Sequence, residues 1–168
     1  MGLANDLLRQ ADQLAYSGTS KPRQADLRRA VSSAYYALFH LLVADGAAQA
    51  GSRLSVPGKM KIRRAFVHAE MKVVCTSYAK NNIPASIAPL LTYPLDANLR
   101  KFAQAFVDLQ EARHSADYDL SVKFNRVEVL LLIDTVKDAF SDWKTIRKTE
   151  NSKIFLMDLL LRKLWTKV

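Results

Sequence analysis

Few side chains in this sequence could move a proton or attack a bond near neutral pH. They are the histidines His40, His68 and His114 and the lone cysteine Cys75. None of the three histidines has another at i+3 or i+4, so no helical His pair is available for a metal. One cysteine excludes a disulfide framework and a Cys-based zinc site. Cys75 falls on an apolar stripe, which predicts a buried small hydrophobe rather than a nucleophile. No phosphate-binding glycine loop, nucleophile elbow, HExxH or GxGxxG motif is present. Expected metals and cofactors are therefore none.

Two segments concentrate what chemistry remains. LRRAVSSAYYALFHLLVADG, residues 27–46, sets Arg28, Ser32, Tyr35, Tyr36 and Phe39 along one region of a helix. Tyr36 and His40 are four apart and are expected to touch by packing. LQEARHSADYDL, residues 109–120, crowds Glu111, Arg113, His114, Asp117, Tyr118 and Asp119 together. Arg113 and Asp117 are spaced to pair along a helix, and such an ion pair is by itself a sufficient reason for both.

The elements that must position these residues are helices. With 49% hydrophobic residues, 168 residues suffice for one domain with a real core, which excludes a disordered chain. Glycine and proline cluster near 18–22, 46–58 and 84–94, and none follows Pro94. Between these breaks the apolar spacing is three and four. It predicts a first helix over 4–16 and a second from Pro22 through Leu42. A third follows Ser55-Val56-Pro57, with Met60, Val67, Met71, Val74, Cys75 and Tyr78 on one stripe. A fourth starts at Asp96 and weakens near 115–119, and a fifth runs over 122–149. A short sixth, from Ser152, turns Ile154, Met157, Leu161 and Leu164 inward. No strand is expected. The fold class is all-α, an antiparallel up-and-down bundle of four to five long helices plus a short C-terminal helix, in a single domain. That last helix, FLMDLLLRKLW, is apolar enough to suggest an interface.

The chain carries 25 Lys and Arg against 16 Asp and Glu, a net +9, which favours a polyanionic partner. Basic clusters lie at Lys21, Arg23, Arg28 and Arg29; at Lys59, Lys61, Arg63 and Arg64; and at Lys144, Arg147, Lys148 and Lys153. No apolar run is long enough for a transmembrane helix, and Asp6 and Arg9 argue against a signal peptide. A cytoplasmic protein without a membrane association is expected.

RRAVSSAYYALFH (28–40) and ARHSADYD (112–119), with RRAFVHAEMK between them, resemble the HEPN superfamily over residues 4–145, leaving the sixth helix outside. The resemblance implies a helical bundle that dimerises and binds RNA or nucleotides. It also implies kinship with metal-independent ribonucleases of toxin–antitoxin and defence systems, and with partners of minimal nucleotidyltransferases. The nuclease branches carry Arg-x4-6-His. Counting from Arg113, the permitted positions hold Tyr118, Asp119 and Leu120. Tyrosine, with an ordinary pKa of about 10, is a poor base, whereas a guanidinium still suits phosphate. The resemblance thus favours a homodimeric binding module in which Arg113, Asp117 and Tyr118 form the RNA or nucleotide site and Arg28 and Arg29 extend it. A ribonuclease using Arg113 and Tyr118, with His40 or His114, is the alternative. A helical partner of a nucleotidyltransferase or antitoxin is the other.

Overall fold

A computed structural model describes residues 2–18, 21–51 and 53–165, with side chains to 164. The chain is all-α, and no strand occurs among the described residues. Its helices are α1 (Leu3–Tyr16), α2 (Gln24–Ala50), α3 (Val56–Arg63), α4 (His68–Ala79), α5 (Ala97–Tyr118), α6 (Arg126–Ile146) and α7 (Glu150–Trp165). A 3-10 turn at Ala88–Leu90 interrupts the proline-rich connection. Among the described residues no helix is long and apolar enough to cross a membrane.

The chain packs as two compact units, Met1–His40 with Ala105–Ser141, and Leu41–Gln104 with Asp142–Val168. In the first, α1 lays Ala11 and Ala15 inward, and α2 adds Leu27, Ala30, Val31, Ala34, Tyr35 and Leu38, all fully buried. The alanines let the helices approach closely, and each buried leucine contributes about 2 kcal/mol. Phe106 and Leu109 of α5 and Val129, Ile133 and Val136 of α6 complete this core. Lys137 meets Asp12 at 2.9 Å, and Arg126 donates to the carbonyls of Ala15 and Gly18 at 3.1 and 3.0 Å. These pairs run in opposite chain directions, so α1 and α6 are antiparallel. Gly18, at φ +79°, supplies the left-handed turn after α1.

In the second unit Trp143 lies at the centre, 1% exposed, with Phe102 at 4.8 Å and Phe155 at 6.2 Å between ring centroids. Its indole Nε1 donates to Asp45 Oδ2 at 2.6 Å, and Arg147 Nη2 donates to Oδ1 at 2.7 Å. Asn151 bonds the Thr92 backbone in both directions, at 2.8 and 2.6 Å, and so ties down the proline-rich connection. α7 packs antiparallel on α4, with Tyr78 against Phe155 and Arg162 against Glu70.

Several expected boundaries are corrected. α2 begins at Gln24, so Pro22 precedes it. It also continues through Gly46, where the Phe66 ring occupies the space a side chain would need. The single third helix is two, α3 and α4, parted at 64–67, where Val67 is extended and Phe66 turns into the core. Met60 and Val67 consequently lie 42% and 38% exposed instead of on a buried stripe. Ser55 precedes α3 without a side-chain capping bond. α5 does not weaken at 115 but holds to Tyr118. α6 starts at Arg126 instead of 122 because Asn125 and Glu128 cap it reciprocally: Glu128 N–H donates to Asn125 Oδ1 at 2.9 Å, and Asn125 N–H to Glu128 Oε2 at 3.1 Å. In α7 the inward face is Phe155, Leu156, Asp158 and Leu159, one position away from the expected stripe, and Leu164 is exposed.

Other expectations hold. Asp96 Oδ1 accepts the Asn98 N–H at 2.7 Å and caps α5. Past the end of α4, Asn81 takes the left-handed conformation at φ 53°. Cys75 is fully buried, and burial pushes its thiol well above the ordinary range.

Candidate nucleotide or RNA site

In the first unit Arg28, Ser32 and Tyr36 repeat at every fourth position of α2 and so share one face. The last two turns of α5 supply Arg113, Asp117 and Tyr118. The antiparallel packing of α2 and α5, visible in the pairs 28 with 116 and 36 with 113, brings the two faces together.

Arg113 is the hub. Its Nε lies 2.6 Å from Asp117 Oδ2, and its Nη2 donates to Tyr36 Oη at 3.0 Å. Asp117 Oδ1 accepts from Ser32 Oγ at 2.5 Å. The guanidinium carbon sits 6.0 Å from the ring centroid of Tyr35 and 5.5 Å from those of Tyr36 and Tyr118. Burial works against its charge, but the oxygens of Tyr36, Asp117 and Tyr118 outweigh it and raise its pKa above the ordinary arginine value. The result is a fixed, fully charged guanidinium, with 23% of the side chain exposed, inside a box of rings.

Tyr118 lies on the outer side of this box, 65% exposed. His114, one turn earlier and also exposed, sets its ring 5.1 Å from that of Tyr118 at a 48° tilt. His40 is half-buried against the rings of Tyr36 and Phe39, at 6.4 and 5.3 Å, the packing role expected for it. Asp119 follows the helix and accepts both the N–H and the hydroxyl of Ser121, which holds its carboxyl below the usual range.

Arg28 has a structural task. Nη1 donates to the carbonyls of Ala116, at 2.8 Å, and Ser115, at 3.4 Å, while Nη2 donates to Asp119 O at 2.9 Å and to Val122 O. It therefore closes the C-terminal end of α5, where backbone carbonyls lack helical partners and the helix dipole favours a cation. Gln24 assists by bonding the backbone of Phe124 in both directions. Arg28 thus holds the frame on which Arg113, Asp117 and Tyr118 stand. Arg29, the next position, is exposed.

The structure gathers Arg113, Asp117 and Tyr118 and adds Ser32 and Tyr36, which motif reading alone leaves without a role. Their signal was the four-residue spacing from Arg28. The described residues contain no cluster of His, Cys, Asp or Glu suited to a metal ion. No protein-family model, curated protein or solved structure matches the chain.

Proposed function

We propose that the chain is a HEPN-like RNA- or nucleotide-binding module, acting as a homodimer and without efficient nuclease activity. One observation carries this reading: an exposed aromatic pair, Tyr118 and His114, stands beside a guanidinium locked in its charged state. A base stacks on an exposed ring, and such stacking contributes about 1–3 kcal/mol per base. The guanidinium supplies a fixed positive charge for the phosphate next to that base. Asp117 positions Arg113, and Arg29 adds charge nearby along the chain.

Cleavage of RNA through its 2′-OH needs a group that exchanges protons near neutral pH. Tyr118 occupies the first position at which the resembling nucleases carry histidine, and its phenol is unsuited to that exchange. His114 against the Tyr118 ring is the observation that favours the alternative, a variant metal-independent ribonuclease. The other alternative is a partner-protein role, as helical subunit of a nucleotidyltransferase or antitoxin pair. It rests on the apolar C-terminal helix, which packs on α4 with Leu159 1% exposed, while Leu164 is 62% exposed. The side chain of Trp165 lies outside the described residues.

The test is retention and cleavage of a mixed RNA pool in EDTA, with wild type, Arg113→Ala and Tyr118→Ala. Retention without cleavage, weakened at least tenfold in both variants, supports the binding module. Cleavage lost in Arg113→Ala replaces it with the ribonuclease. Unchanged retention in both variants removes this corner from the function.

A further inference from the structure

The positive charge of this chain is not shared between its units. The first unit holds nine of the 25 Lys and Arg and ten of the 16 Asp and Glu, a net −1. The second holds sixteen and six, a net +10. Most acids in the second unit are also occupied. Asp45 serves Trp143 and Arg147, Glu70 faces Arg162, Glu150 pairs with Lys153, and Asp96 caps α5. Asp158 is buried, 2% exposed, which raises its pKa to about 6.

The excess is concentrated around α3. Between Asp45 and Glu70 the sequence has no acid, but it has Arg53, Lys59, Lys61, Arg63 and Arg64. α3 contains no buried residue, and Lys61, Arg63 and Arg64 are exposed. Its attachment is slight: Ile62 closes on Gly51, and Phe66 beyond its end anchors on Gly46. Pro57 lies in the first turn of α3, and Lys61 and Arg63 in its last turn suit the helix dipole, so the basic residues also stabilise the helix that carries them.

We propose that α3 and the Arg64 turn form a phosphate-backbone contact surface for a polynucleotide, distinct from the Arg113–Tyr118 corner. Charge complementarity carries this inference, because nucleic-acid affinity comes mainly from cations that displace counterions from phosphates. A membrane surface fits less well. At eight residues α3 is about 12 Å long, and its exposed apolar residues, Val56 and Met60, are aliphatic, whereas interfacial helices are longer and carry aromatic anchors. The same unit also exposes Lys80, Arg100 and Lys101 near the facing ends of α4 and α5. The surface does not depend on the corner being a nucleotide site.

The experiment is fluorescence anisotropy of a labelled single-stranded RNA of about 30 nucleotides, titrated at several salt concentrations. The proteins are wild type, the triple variant Lys61→Gln/Arg63→Gln/Arg64→Gln, and Arg63→Lys. Each phosphate contact contributes about 0.7 to the slope of log affinity against log salt for a single strand, so the triple variant should lose about two units of slope and at least tenfold in affinity. Arg63→Lys, which keeps the charge, should retain both. Circular dichroism checks that the exposed substitutions leave the fold intact. Equal slope and affinity in the triple variant would overturn the proposal. So would binding of phosphatidylserine vesicles, but not RNA, that depends on the same three residues. A mononucleotide titration with Arg113→Ala reports on the corner separately, so failure of one site is distinguishable from failure of the other.

Discussion

Asp117 holds Arg113 from one turn further along α5, its Oδ2 2.6 Å from Nε, while its other oxygen accepts from Ser32 Oγ at 2.5 Å. One carboxylate therefore joins Arg113 to the neighbouring helix α2. Both side chains are about a quarter exposed, so the pair is stronger than a solvated surface pair and weaker than a buried one. Asp117→Asn should cost about 1 kcal/mol, and Arg113→Ala about 1–3 kcal/mol, since it leaves Asp117 and Tyr36 without this partner. A double-mutant cycle in urea should give a coupling of about 0.5–2 kcal/mol. Additive effects would mean that the contact carries no energy.

Arg28 closes the end of α5 through four carbonyls, two of them beyond the helix at Asp119 and Val122. Lysine keeps the charge but not the planar fork. Arg28→Lys should therefore destabilise by about 1–2 kcal/mol and speed amide exchange at 119–124 more than elsewhere. RNA retention should fall only as far as Tyr118 is displaced. Uniform exchange across the unit would contradict the capping role.

Gly46 lies within α2, where alanine would ordinarily be preferred by about 1 kcal/mol. Here an added Cβ would stand 2.5 Å from Phe66 Cζ, and Phe66 is only 5% exposed. Gly46→Ala should thus destabilise by about 1–3 kcal/mol by overpacking. Phe66→Ala should cost about 3 kcal/mol on its own, and in its background Gly46→Ala should become neutral or favourable. Denaturant midpoints of the four proteins decide this.

Asp158 lies in the α4–α7 layer with Tyr78 and Cys75 near it and Arg162 on its own helix; burial raises its carboxyl to about 6, with Arg162 opposing. A carboxylate pKa above its unfolded value of 3.8 means that the folded state resists ionisation. The penalty is absent below about pH 4 and complete above about pH 6. At two pKa units it is on the order of 2–3 kcal/mol. Asp158→Asn should therefore stabilise the protein at pH 7 and have little effect at pH 4. An equal difference at both pH values would show that Asp158 ionises normally.

Much of the fold was legible because buried positions in a helix must repeat every three or four residues. Leu99, Phe102, Phe106 and Leu109, and Val129, Ile133, Val136 and Trp143, follow that rule and are buried. The Arg113–Asp117 pair was legible for the same reason. What misled were signals with two meanings. Gly46 reads as a breaker, yet it is a packing notch. Met60 and Val67 match the period of the α4 stripe, yet a break separates them from it. α7 is apolar on so many positions that periodicity does not single out its buried face.

By itself, then, the sequence determined the all-α class, most helices, the overall basic charge and the local pair at the end of α5. These depend on composition and on contacts within a few residues. The tertiary structure decided which residues of distant segments meet. It placed Ser32 and Tyr36 on the Arg113 pair, turned Arg28 into a cap, buried Asp158, and gathered the positive charge into one of two units. Those outcomes depend on which helix faces close on each other, and spacing along a single helix does not specify them.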